Sequence, residues 1–129
     1  MSEFQIGDKL KHVNHVVYLV KDLNEALRFY RDFLGIKQIA KMVDNQEIAW
    51  LQLPSGVMLH LIETDELAPL RQHVAFEVLS DSELDDVQQI IDSAGIEIME
   101  QGARNDGQRY FFCKDPDGNR VEICAPSKF

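Results

Sequence analysis

Apolar and polar positions alternate along two stretches of this chain that match residue for residue. His15-Val16-Val17-Tyr18-Leu19-Val20 reads as a strand, and His73-Val74-Ala75-Phe76-Glu77-Val78 repeats it with the histidines at positions 15 and 73. A strand turns successive side chains to opposite faces. His15, Val17 and Leu19 therefore oppose Val16, Tyr18 and Val20, and His73, Ala75 and Glu77 oppose Val74, Phe76 and Val78. After each strand the period changes to that of a helix. Asp22 with Glu25 has capping-box spacing, and Leu23, Ala26, Leu27, Tyr30, Phe33 and Leu34 recur at helical intervals up to Gly35. In the second half Ser82 and Asp85 mark a helix start, and Leu84, Val87, Ile91 and Ala94 form its stripe before Gly95. A glycine in each place suits the left-handed residue that ends a helix.

Three strands follow each helix. In the first half they span 36–43, 47–53 and 57–62, with Pro54-Ser55-Gly56 turning the last two; in the second they span 96–100, 108–113 and 119–125, with Asp115-Pro116-Asp117-Gly118 as the turn. The pattern is βαβββ twice, with modules at about 10–63 and 72–126 of a single domain covering 1–129. A period near sixty residues is too long for a solenoid repeat and reads as a duplicated unit paired with its twin. The link between the modules contains Pro69 and is long enough for the two to pair within one chain or between two chains.

The repeat carries chemistry in register. Gly56 precedes His60 by four positions, as Gly118 precedes Glu122, so His15, His60, His73 and Glu122 stand at matching places. Met58, His60 and Ile62 share one face, as do Arg120, Glu122 and Cys124. With the apolar faces packed on the helices, a sheet curled into a half barrel aims all four residues into one hollow, as a divalent metal site requires. Two histidines and a carboxylate suit Fe, Mn, Co, Ni or Zn. His60 serves as a fourth ligand, as an acid or base beside the ion, or as a satisfied core residue. His12, at odd spacing from His15, reads as a surface residue. Glu77 reads as a solvated strand end or a neighbour of the ligands, and Trp50 as cavity lining or core.

Composition bounds the partners. The chain has 129 residues, 45% of them hydrophobic and 27% charged, which is ordinary for a globular domain. Its formal charge of −9, with no local cluster of Lys and Arg along the sequence, disfavours nucleic acid and anionic membrane surfaces. Cys113 and Cys124 lie in apolar strand patterns and read as buried free thiols. The first residues contain no apolar signal core, so a cytoplasmic location is the expectation.

Asn14-His15-Val16-Val17-Tyr18-Leu19-Val20, the Phe29-Tyr30 to Leu34-Gly35 helix end, His73-Val74-Ala75-Phe76 and Asp115-Pro116-Asp117-Gly118-Asn119-Arg120-Val121-Glu122 together resemble the vicinal oxygen chelate superfamily. That family holds glyoxalase I, fosfomycin-resistance thiol transferases, methylmalonyl-CoA epimerases, extradiol dioxygenases and bleomycin-binding proteins. The resemblance runs from about Leu10 to Pro126. It implies an α+β fold of two tandem βαβββ modules forming a curled mixed sheet around a metal site. It also implies one divalent transition metal per site held by His15, His60, His73 and Glu122, with His60 and Glu122 as the catalytic pair.

Departures from the family pattern narrow the chemistry. His60 stands where glyoxalase I has a glutamate that moves protons, and Phe112 where extradiol dioxygenases have a tyrosine. No histidine follows His73, and Val17 replaces a threonine of fosfomycin-modifying relatives. The resemblance thus implies lyase, isomerase or thiol or water transferase chemistry on a small molecule that chelates the metal through adjacent oxygens. One carboxylate leaves a divalent ion a net charge of about +1, which favours an anionic substrate. A small non-haem iron dioxygenase and a metal-free antibiotic-binding protein are the alternatives. A homodimer, with His15 and His60 of one subunit facing His73 and Glu122 of the other, is the expected assembly.

Overall fold

The computed structural model describes residue 9 and residues 12–66 and 73–128. The link carrying Pro69 and the amino-terminal run read for a signal lie outside these residues. The order is β1 (His15–Val20), α1 (Leu23–Leu27), a π-helical segment (Arg28–Phe33), β2 (Lys37–Ile39), β3 (Ile48–Gln52) and β4 (Met58–Glu63), then β5 (His73–Glu77), α2 (Asp81–Ser93), β6 (Ile98–Ala103), β7 (Arg109–Lys114) and β8 (Arg120–Cys124). It is βαβββ twice, as the sequence pattern predicts. The chain divides into two compact units, Met1–Asp65 and Glu66–Phe129. Each contains one four-stranded mixed sheet, ordered β1-β4-β3-β2 and β5-β8-β7-β6, and neither sheet is closed. The first strand of each unit pairs parallel with the last, and the other pairings are antiparallel.

In the first unit Tyr18 and Val20 are buried, with Leu51, Leu59 and Leu61, while Val17 and Leu19 on the opposite face are 46% and 40% exposed. The strand parity is therefore that of the sequence reading. Asp22 caps α1, its Oδ1 accepting from the Glu25 amide at 3.1 Å. Glu25 does not complete a box by reaching back; its carboxylate pairs with Arg28. The widened turn that follows is the main local surprise. The Leu34 amide donates to the Phe29 carbonyl at 2.9 Å, five residues back. With this slower rotation per residue, the adjacent Phe29 and Tyr30 are both buried, their rings edge to face with centroids 4.9 Å apart. Phe33, placed in the stripe by strict helical spacing, rotates to 36% exposure. Gly35 ends the segment at φ 78, where a β-carbon is disfavoured.

β2 is shorter than the 36–43 run predicted. It is an edge strand, and Lys41 turns its ammonium onto the Ile48 carbonyl at 2.8 Å and onto the Asn45 carbonyl, so a side chain takes the place of further ladder bonds.

In the second unit α2 begins earlier than Ser82 suggests. Ser80 is the cap, its hydroxyl accepting from the Glu83 amide at 3.2 Å. Leu84 and Ile91 are buried, as are Phe111, Cys113, Val121 and Ile123. Burial of a side chain such as Phe111 contributes roughly 1.5–3 kcal/mol. The β7–β8 turn is tied by Asp115, whose Oδ1 accepts from the Asp117 amide at 2.9 Å and the Asn119 amide at 2.7 Å while Oδ2 accepts from Asn119 Nδ2 at 2.8 Å. Three hydrogen bonds satisfy a buried carboxylate and set the strand that carries Glu122.

Candidate metal centre

Each unit presents one row of paired residues across its sheet. In the first, Val17 pairs with His60, His60 with Trp50, and Trp50 with Ile39. In the second, the row is Ala75, Glu122, Phe112 and Glu100. His60 and Glu122 thus occupy the same place, each on the strand beside the parallel edge strand. His15 and His73 open those edge strands.

The His60 ring lies flat between two others. Trp50 stacks on it with centroids 4.2 Å apart and planes at 5°, and His15 stacks with centroids 4.2 Å apart and planes at 13°. His60 is buried, and its Nε2 has no hydrogen-bond partner. An orphaned polar atom of this kind costs about 1–3 kcal/mol unless something binds it. Burial, and then the neighbouring His15, hold the His60 pKa below the usual 6.5. The ring is therefore neutral at pH 7 and keeps a lone pair. His15 Nδ1 lies 2.8 Å from the Asn14 side-chain oxygen. That oxygen only accepts, so Nδ1 carries the proton and Nε2 is left as the donor atom.

The second row is charged. Glu122 is 5% exposed, and its two oxygens accept from Arg104 Nη2 at 3.1 and 3.2 Å. His73 Nε2 stands 3.2 Å from Oε1. Arg104 rests on the Tyr110 ring, Cζ 3.9 Å from its centroid, and Arg120 rests on Phe112 at 4.5 Å while donating to Glu100 at 3.3 Å. His73 meets Phe112 edge to face at 5.0 Å. A β-carbon at Gly102 would sit 3.1 Å from the Tyr110 hydroxyl, so the glycine lets that ring lie across the strand.

The four predicted ligands therefore come as two pairs, His15 with His60 and His73 with Glu122. Among the described residues no group of three or more His, Cys, Asp or Glu side chains gathers as a metal ion needs. The donor types fit a divalent ion: two stacked imidazoles, of which His60 keeps a lone pair, and a carboxylate beside a third ring. His12 is exposed, with Nδ1 2.7 Å from the Val13 carbonyl, as a surface residue. Glu77 is exposed and accepts from the Ser127 amide at 3.2 Å. Trp50 is neither free lining nor plain core; it supports His60. Both cysteines are buried, and burial pushes the Cys113 thiol up to about 11.

Sequence reasoning missed Arg104, and with it the positive charge gathered around Glu122. Its signal was parity: Arg104 stands two residues after Gly102, which pairs with Tyr110. Ending that strand at Glu100 hid the connection.

The chain belongs to the Glyoxalase/Bleomycin resistance protein/Dioxygenase superfamily, whose family model matches residues 12–123. It is 29% identical over 121 residues to the metallothiol transferase FosB of Staphylococcus saprophyticus, covering 88% of this chain and 76% of that one. It is 30% identical over 129 residues to Glyoxylase I 4 of Arabidopsis thaliana, covering 89% and 71%. The fold matches the crystal structure of a mutant of the fosfomycin resistance protein FosX of Listeria monocytogenes, complexed with Mn(II) and 1S,2S-dihydroxypropylphosphonic acid. That match has a TM-score of 0.77 at 22% identity and covers 92% of this chain and 95% of the other. Among the described residues no helix is long and apolar enough to cross a membrane.

Proposed function

We infer that this chain is a divalent-metal-dependent enzyme acting on a small anionic molecule that binds through adjacent oxygens. Lyase, isomerase or thiol or water transfer chemistry fits the donor set. The observation that carries this reading is the buried, partnerless Nε2 of His60, held rigid between Trp50 and His15. A stacked imidazole with an orphaned nitrogen is built to bind something. His15, His60, His73 and Glu122 hold one ion, Fe, Mn, Ni, Co or Zn. When bound, the ion supplies Lewis acidity to the substrate oxygens it touches. His60, neutral at pH 7, either completes the ligand set or takes a proton at Nε2. Glu122 supplies the one carboxylate charge, and Trp50 fixes the plane of His60. Relatives named as metallothiol transferases and a FosX structure containing Mn(II) support metal use, and Val17 argues against fosfomycin itself as the substrate.

Elemental analysis of untagged protein, followed by calorimetric titration, tests this. About one ion per chain is expected. His73→Ala and Glu122→Ala should abolish binding with the fold intact, whereas His60→Ala should weaken it less. Full-affinity binding by the first two variants removes the assignment. Rapid oxygen uptake with catechols in the ferrous form would instead favour a dioxygenase. As assembly we favour a homodimer in which each ion takes donors from both subunits. Mixing His15→Ala with Glu122→Ala chains should then restore binding in part of the sites, because one site of the heterodimer regains every ligand. No recovery despite demonstrated subunit exchange would confine each site to one chain.

A further inference from the structure

Arg104 meets Glu122 in an unusual way. A guanidinium commonly grips a carboxylate with two parallel N–H donors. Here a single nitrogen, Nη2, contacts both oxygens, at 3.1 and 3.2 Å. The rest of the guanidinium lies over Tyr110, held by its face rather than by hydrogen bonds. The two partners also differ in freedom. The Glu122 side chain is 6% exposed and fixed, while that of Arg104 is 45% exposed at the tip of the β6–β7 hairpin. A buried carboxylate needs a counter-charge, and Arg104 supplies one that can leave at little cost to packing.

The role assigned to Arg104 rests on the metal use proposed for this site. The lone pairs that Arg104 occupies are those by which Glu122 would ligate a cation, and a guanidinium stays charged at any ordinary pH. Two cations on one carboxylate repel, and the exposed one is free to move. We propose that Arg104 is an exchangeable counter-ion. It neutralises Glu122 until a metal engages that carboxylate, and then, still carried on the Tyr110 ring, it receives the anionic group of the substrate, a carboxylate, phosphonate or phosphate. Arg104 is thereby a specificity-determining residue, and it lowers the apparent affinity for metal.

Calorimetric titration of the metal-free full chain with Mn(II), followed by titration of the loaded protein with inorganic phosphate, tests the exchange without an activity assay. Arg104→Gln should bind Mn(II) about tenfold more tightly than wild type, because the competitor is gone, and bind phosphate about tenfold more weakly. Arg104→Lys keeps the charge and should stay near wild type in both titrations, which separates lost charge from damaged folding. Unchanged or weaker Mn(II) binding by Arg104→Gln overturns the exchange, as does undiminished phosphate binding. Those results would leave the metal reading standing. Absence of Mn(II) binding by all three chains overturns both.

Discussion

His60 and Glu122 stand at one place in two sheets of the same topology, yet their surroundings are opposite. Within the first unit, His60 is flanked by rings, Trp50 on one side and His15 on the other, with Val17 and Ile39 along the row. Glu122 is touched by Arg104 and His73, and the Arg120 that pairs with Glu100 rests on the neighbouring Phe112. A duplicated scaffold keeps positions more faithfully than environments. One half offers a nitrogen left without a partner, and the other a carboxylate with partners on both oxygens. The first is poised by deprivation, the second by competition.

The aromatic residues beside the two sites give the largest test of this contrast. Phe112→Ala should cost about 3 kcal/mol of stability, since a buried ring carrying both His73 and Arg120 is lost, and Trp50→Ala, only half buried, about 2 kcal/mol. Urea unfolding of metal-free protein reads both, and a larger loss at Trp50 would reverse the ranking. Changing the polar groups themselves should matter less. His60→Glu puts a carboxylate between the rings of Trp50 and His15 and should destabilise by about 2 kcal/mol at pH 7. Glu122→Gln keeps a hydrogen-bond acceptor for Arg104 and should cost about 1 kcal/mol. Equal melting temperatures for these two variants would mean that the surroundings do not differ as described.

Acid supplies the smallest effect. The unfolded chain protonates His60 near the usual 6.5, whereas the folded chain resists to lower pH because of burial and His15. As pH falls through 6.5 the unfolded state takes up the proton first, so this contribution to stability is full above that value and declines below it. The urea midpoint of chelator-treated wild type should therefore drop relative to His60→Gln between pH 7.5 and 5.5. Parallel curves would show that His60 is not held neutral by the fold.

The repeat and the strand parity were legible because duplication and a period of two are both written in the order of residues; the four ligand candidates were named from the same register, and the structure brings them together as two pairs. What escaped depends on events off that period. The π-helical turn shifts the buried set from Phe33 to Phe29, and no pattern of spacing announces it. Lys41 cuts β2 short by a side-chain bond, and Ser80 captures the cap that Ser82 seemed to offer. Arg104 acts across strands, through a glycine that makes room for Tyr110. The stacking that orphans His60 Nε2 likewise joins residues on three strands, so it exists only after folding.

The parallel pairing of first with last strand in each unit has a consequence for how the chain is made. Among the described residues β1 pairs in its sheet with β4 alone, a strand about forty positions further along the chain, so its pairing waits for that strand. β3 and β4 are joined by a short hairpin and need no such wait. Because loop-closure entropy weighs against distant pairings, the local β3–β4 hairpin is expected to form ahead of the β1–β4 closure. The second unit repeats this order with β5 and β8. Every strand of the first unit precedes His73 in the chain, so the His15–His60 stack draws on no residue that the second unit supplies.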